Sequence, residues 1–230
     1  MYVRNLHITK NLMSEYHIRL GPMDANTPLT GHIPYKHARR WQSPNEALVP
    51  VPNLDIFMTQ GAFVRACAHA GSDLRNEVGG WMIGQWRSDK VNQKNFIVIE
   101  KIMPAPHTKH GRAYLTFTQD SQVALHAELE TRYPGKKVVG WYHTHPRMGI
   151  FLSQYDTWLH ANFFPNLWQV ALVIEPHSAT GGFFLRGVDG HLDTRQYFGF
   201  YELLNNKQRS VVHWRNLLPL EELHDGESNR

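Results

Sequence analysis

Several absences narrow the chemistry open to this chain. It holds one cysteine, Cys67, in 230 residues. That excludes an intramolecular disulfide framework and a cysteine-rich zinc site, and Cys67 is expected to pack in the core. There is no long Lys/Arg block, and the formal charge is only +4, so a pI near 9.2 is no ground for reading nucleic-acid binding. Neither a signal-peptide pattern nor an apolar run long enough to cross a bilayer occurs, and the expectation is a soluble, cytoplasmic protein with no membrane or nucleic-acid partner. No internal repeat is evident. What is present suits a folded protein: 42% hydrophobic residues argue against disorder, and the length allows one domain with a real core plus extensions.

The informative residues are histidines, although the type is common here. With 15 in the chain, roughly one H-x-H pair arises by chance, so His143 and His145 alone say little. They stand, however, in H-T-H-P-R-M-G-I-F-L-S-Q-Y-D. Requiring Pro146, Ser153 and Asp156 at their places too lowers the chance to roughly one in ten thousand. Val138 to Trp141 is an apolar run that reads as a buried strand leading into the pair. Side chains two apart on a strand share a face, so His143 and His145 can reach one ion while Thr144 points away. Pro146 stops further pairing and Gly149 helps the chain turn. Ser153 then reads as a helix start with Asp156 in the first turn, from which Asp156 can return to the ion as third ligand while Ser153 sits at the rim. Ser153-x-x-Asp156 is also an ordinary capping pattern, and the two uses are compatible. Three protein ligands with one position left open describe a catalytic zinc, whereas a structural zinc closes all four.

At these residues the chain resembles the JAMM (MPN+) metalloprotease family, whose signature is a distant Glu, then His-x-His, seven residues, Ser, two residues and Asp. The intervening seven here run from Pro146 to Leu152. The resemblance covers about residues 54–200 and implies an α/β fold of MPN (cytidine-deaminase-like) type, a mixed β-sheet flanked by helices. It also implies an upstream glutamate ahead of a glycine-bearing strand, and Glu77 in N-E-V-G-G-W-M-I-G fits, with Glu100 the weaker rival. Independently, Glu77 precedes Gly79, Gly80 and Gly84, which permit close backbone approach and let a carboxylate overlook a site. Glu100 reads as an outward-facing strand residue, and Glu128 and Glu130 as helix-surface charges.

The expected mechanism uses one Zn2+ per chain on His143, His145 and Asp156, Glu77 as the general base and Ser153 as a hydrogen-bond donor to the oxyanion. By resemblance the substrate is a bond formed by the C-terminal glycine of ubiquitin or a ubiquitin-like protein, as in a deubiquitinase, and the loop at residues 104–118 is the candidate clamp on its tail. Trimming of a ubiquitin-like sulfur carrier and a noncatalytic MPN scaffold are the alternatives. A metallo-β-lactamase would need H-x-H-x-D-H, and Arg147 and Met148 occupy the last two places. An amidohydrolase barrel would place its H-x-H early in a larger chain.

The expected organisation is a Pro-rich N-terminal extension over 1–53, a catalytic domain over 54–204, and a C-terminal helix with a polar tail over 205–230. Helices are expected at 57–72, Gln119–Tyr133 and Ser153–Phe164. Strands are expected near 79–86 and 95–103, through the histidine pair, at Q-V-A-L-V-I-E and F-F-L-R-G, and around Tyr197–Tyr201. The loop near 104–112 carries His107 and His110. After Asn205, V-V-H-W-R-N-L-L-P-L is spaced for a docking helix that either packs on the core or meets a protein partner. Trp81, Trp141 and Trp158 lie near the site in sequence and are read as packing residues.

Overall fold

The computed structural model describes residues 27–47, 53–105, 109–110, 115–187, 189–205 and 209–220. From the proline-rich lead-in come two strands, β1 (Leu29–Thr30) and β2 (Ala38–Gln42). β3 (Leu54–Thr59) runs straight into α1 (Gln60–Ala70). β4 (Gly79–Asp89) and β5 (Lys94–Pro104) form a long hairpin, and β6 (Lys109–His110) pairs with β7 (Leu115–Thr116) in a separate ribbon. Then follow α2 (Gln119–Arg132), β8 (Lys137–Thr144), α3 (Gln154–Phe163), β9 (Val170–Glu175), β10 (Thr180–Phe184), β11 (Phe200–Leu203) and β12 (Leu218–Pro219).

These strands build one mixed sheet in the order β10-β9-β8-β4-β5-β3-β11-β2-β12, with β1 parallel to β4 at Arg87 and Ser88. The sheet curls back on itself. Phe183 on β10 exchanges backbone hydrogen bonds of 2.9 and 2.7 Å with Phe198, on the chain entering β11. The expected α/β class with a mixed sheet flanked by helices is what is found.

Alternation along the central strands feeds two cores, which is why these strands read as nearly continuous apolar runs. Met82, Tyr142, Leu172 and Ile174 join Phe63 and Ala66 of α1 on one face. Trp81, Ile83, Trp141, Ala171 and Val173 join Leu125 of α2 and Leu159 of α3 on the other. Two glycines of β4 are there because neighbouring backbones leave no room: a Cβ on Gly80 would lie 2.2 Å from the Met103 carbonyl oxygen, and one on Gly84 1.8 Å from that of Val98. Cys67 is half-buried against the α1-side core.

Several expected boundaries shift. The helix placed at 57–72 starts at Gln60, because Phe57 and Met58 are fully buried strand residues and Thr59 caps α1 by accepting the Ala62 N–H at 3.3 Å. The lead-in is less irregular than its prolines suggest, since β2 pairs with β11 through Trp41 and Phe200. The strand expected at Tyr197–Tyr201 lies at Phe200–Leu203.

The helix expected after Asn205 is absent from residues 209–220, which hold a turn at Arg215–Asn216 and the short strand β12, so a partner-docking helix does not form there. Trp214 and Leu217 are buried in the α1-side core. The backbone finds its partners elsewhere: the buried Glu202 carboxylate accepts the Val211 N–H at 2.8 Å, and the Arg215 and Leu220 N–H groups donate to the Ala179 and Arg40 carbonyls, each at 2.9 Å. With those N–H groups satisfied outside the segment, helical hydrogen bonding has no advantage.

Candidate active site

The site forms where β8 emerges between β4 and β9. His143 lies opposite Gly79 on β4 and Val173 on β9, the same face as Trp141 and the α3-side core. One step beyond the strand, the His145 N–H donates to the Ile174 carbonyl at 2.9 Å, so the second imidazole is anchored by β9. The two Nε2 atoms are 2.9 Å apart. Asp156 reaches both rings from α3, with Oδ1 3.3 Å from His143 Nε2 and Oδ2 3.6 Å from His145 Nε2. Glu77, just ahead of β4, places Oε1 3.8 Å from His145 Nε2. All four residues are buried, at 0 to 3% exposure.

The donor set fits a zinc ion. One nitrogen or oxygen from each of His143, His145 and Asp156 lies within 4.8 Å of the others, the one such group among the described residues. Two imidazole nitrogens and a carboxylate oxygen are the ligands a catalytic zinc uses. Buried polar atoms normally have partners, yet His143 Nδ1, His145 Nδ1 and Glu77 Oε2 have none. Such a concentration of unsatisfied polarity marks a functional centre rather than a packed core.

Residues 54–164 match the family model described as JAB1/Mov34/MPN/PAD-1 ubiquitin protease. The chain carries a JAMM/MPN family domain. It is 24% identical over 128 residues to the ubiquitin carboxyl-terminal hydrolase RPN11 of Saccharomyces cerevisiae, a match covering 55% of this chain and 40% of that protein. A shorter stretch of 73 residues is 39% identical to the NAD(+) hydrolase TcpA of a Theionarchaea archaeon, covering 31% of this chain and 22% of that protein. The matches thus span less than half the length of these curated relatives. A solution structure of a Desulfitobacterium hafniense protein is 25% identical, with 61% of this chain and 90% of that one covered at a TM-score of 0.45.

Within the JAMM/MPN domain, the electrostatics follow from burial and proximity. Burial pushes the Glu77 carboxyl up to about 7, with His143 opposing and Asp156 adding to the rise. Burial acts the same way on Asp156, but His143, His145 and Ser153 outweigh it and hold that carboxyl well below the usual range. Burial lowers His145, favouring the neutral imidazole that ligates metals.

Around the four groups lie further side chains for which no site role is expected from the sequence. Trp141, expected only to pack, stacks its ring on His143 at 4.5 Å and 9°, and its indole N–H donates to His160 Nδ1 at 3.0 Å. His160 is held neutral, burial lowering it to about 3 with Arg186 adding to the effect. Glu175, at the end of β9, accepts backbone N–H groups from Arg147, His177 and Ser178 at 3.0, 2.9 and 2.7 Å. It thereby fixes the turn after His145, in which Arg147 has φ 63°. The signal for Glu175 was present in the sequence, as a charged residue closing an apolar strand, but its partners are 28 residues away or across a turn.

The rival carboxylates go elsewhere. Glu100 on β5 pairs with Lys136 at 2.6 Å, and Glu128 pairs with Arg132 at 3.4 Å on α2, where Glu130 is exposed. Trp158 is 53% exposed on α3. In the candidate clamp loop, the β6–β7 ribbon is described, while His107 and the His110 side chain lie outside the described residues. The loop is rooted at the site, since the Ala105 N–H donates to the Gly79 carbonyl at 3.0 Å.

Proposed function

We propose that this JAMM/MPN domain is a zinc-dependent peptidase acting on the bond formed by the C-terminal glycine of ubiquitin or a ubiquitin-like protein. The observation that carries this reading is the buried convergence of His143, His145 and Asp156 with a fourth group, Glu77, that is not needed as a ligand. His143, His145 and Asp156 would hold the ion. When bound, zinc supplies a Lewis acid that makes water more acidic and polarises the scissile carbonyl.

The remaining chemistry belongs to the chain. Glu77 takes the proton of the attacking water and hands it to the departing amine. Ser153 Oγ spends a lone pair on the Asp156 N–H at 3.1 Å, which leaves its hydroxyl proton to donate to the carbonyl oxygen as negative charge develops there. The choice of substrate class is supported by the family description and by the relative named a ubiquitin carboxyl-terminal hydrolase.

The test is zinc content measured together with cleavage of a panel of ubiquitin and ubiquitin-like conjugates, comparing wild type with Glu77→Gln. About one zinc per chain in both proteins, with cleavage only in the wild type, is the expected result. Equal cleavage by both removes Glu77 from the mechanism, and well-folded protein without zinc or cleavage overturns the reading.

A further inference from the structure

The base, Glu77, precedes the sheet and is not itself part of it, since β4 begins at Gly79. Something other than strand pairing must hold its carboxylate over the imidazoles. The β4–β8 ladder pairs Gly79 with His143, and its next rung would be Val78 with Thr144. Half of that rung forms normally: the Thr144 N–H donates to the Val78 carbonyl at 2.9 Å. The other half is different. The Val78 N–H donates to the Thr144 side-chain hydroxyl, also at 2.9 Å, where a continued antiparallel ladder would have used the Thr144 carbonyl. Thr144 has no solvent exposure, so this hydroxyl has no water to compete for it.

We infer that Thr144, the residue between the two histidines, is a positioning residue for the base. Its hydroxyl terminates the ladder one residue after Glu77 and fixes the backbone from which that carboxylate projects. Expected from the strand period only to point away from the ion, the middle residue of H-T-H couples the two parts of the site: one strand carries both imidazoles and also grips the segment bearing Glu77. A methyl group in place of the hydroxyl preserves shape but leaves the half-buried Val78 N–H without its protein partner, which the chain relieves by moving. Displacement of a catalytic group by about 1 Å can cost on the order of 10²-fold in rate. Thr144 touches neither substrate nor the reacting atoms in this account, and it acts through Glu77.

This inference rests on Glu77 being the base, so its test includes a readout that needs no turnover. Thr144→Val and Thr144→Ser are compared with wild type for zinc content, kcat, KM and amide hydrogen exchange at Val78. Thr144→Val is expected to keep about one zinc per chain and a KM within about twofold, while kcat falls on the order of 10²-fold and the Val78 amide exchanges faster. Thr144→Ser, which retains the hydroxyl, restores both protection and kcat. Unchanged Val78 exchange in Thr144→Val overturns the inference even if no conjugate is cleaved by any form. So does a Thr144→Ser variant as slow as Thr144→Val, which would assign the effect to the lost methyl packing. Should Thr144→Val not fold, Thr144→Ala against Thr144→Ser isolates the hydroxyl by the same readouts, and equal exchange in that pair overturns the inference.

Discussion

Ser153 and Asp156 hold each other across the first turn of α3: Ser153 Oγ accepts the Asp156 N–H at 3.1 Å and Asp156 Oδ2 accepts the Ser153 N–H at 2.7 Å. The same Asp156 carboxylate faces both imidazoles. Helix cap and proposed third ligand are therefore one group, and the cap fixes the orientation of that carboxylate without help from an ion. This is the economy behind the S-x-x-D spacing: a capping box needs its acid at the third helical position, and that position also points the carboxylate back across the loop at β8.

Ser153→Ala separates the two uses of the serine. The substitution removes the acceptor for the Asp156 N–H but leaves the backbone bond from Ser153 N to Asp156 Oδ2. Stability should fall by about 1 kcal/mol, the usual cost of losing a cap, with zinc content unchanged. If the hydroxyl also donates to the developing oxyanion, kcat drops on the order of 10²-fold. Urea titration, metal analysis and steady-state kinetics read the three effects independently, and a wild-type kcat would leave Ser153 as a cap alone.

Asp156→Asn asks the complementary question. The amide oxygen can still accept the Ser153 N–H, so the helix should persist, but the anionic donor facing His143 and His145 is lost. Zinc affinity, measured by competition with a chelator, should fall by more than the roughly 10- to 100-fold typical of an outer-sphere change. An affinity equal to wild type would show that the carboxylate serves only the helix.

Glu175 gives a prediction in pH. Burial raises its carboxyl, but hydrogen bonds from Ser178, Arg147 and His177 outweigh that and hold it at about 2, below its ordinary 4.5. A depressed carboxyl binds its proton more weakly in the folded state, so its stabilisation is complete above the ordinary value and is lost as pH falls through the folded one. The difference in unfolding free energy between wild type and Glu175→Gln should be constant from pH 7 down to about 4.5 and shrink towards pH 2. Urea unfolding across that range checks it; a difference that grows on acidification would contradict the assignment.

The site was more legible in the sequence than the fold's edges were, and the reason is distance along the chain. His143, His145, Ser153 and Asp156 lie within one strand–turn–helix unit, where period 2 and a capping rule determine geometry directly. Glu77 is 66 residues before His143 in sequence, and its glycine neighbours only hint at close backbone approach. The failures concern partners that no local pattern names. Trp214 and Leu217 have helix-like spacing, yet no helix forms because the segment's N–H groups are taken by the Glu202 carboxylate and by the Ala179 and Arg40 carbonyls, all outside the segment. Phe57 and Met58, expected to open a helix, suit a buried strand as well, and pairing with β5 and β11 decides between them.

The C-terminal segment also makes the clearest stability prediction, through Glu202. This carboxylate is wholly buried on β11 and accepts from Trp41 Nε1 at 3.1 Å, Gln60 Nε2 at 2.8 Å, Ser210 Oγ at 2.6 Å and Val211 N at 2.8 Å. One acceptor thus joins β2, the first turn of α1, β11 and the chain after 209. Glu202→Ala strands two buried and two half-buried donors at once, a buried donor costing roughly 1 to 3 kcal/mol when left unpaired, so a loss of at least about 3 kcal/mol is expected. Glu202→Gln retains an acceptor oxygen and should lose less. Because the donors come from a strand, a helix and the C-terminal segment, unfolding should remain one cooperative transition moved to lower urea, with zinc content unchanged in the folded protein. A variant that kept its midpoint while only residues 209–217 exchanged amide hydrogens faster would show that Glu202 anchors the C-terminal segment and contributes nothing to the sheet it sits in.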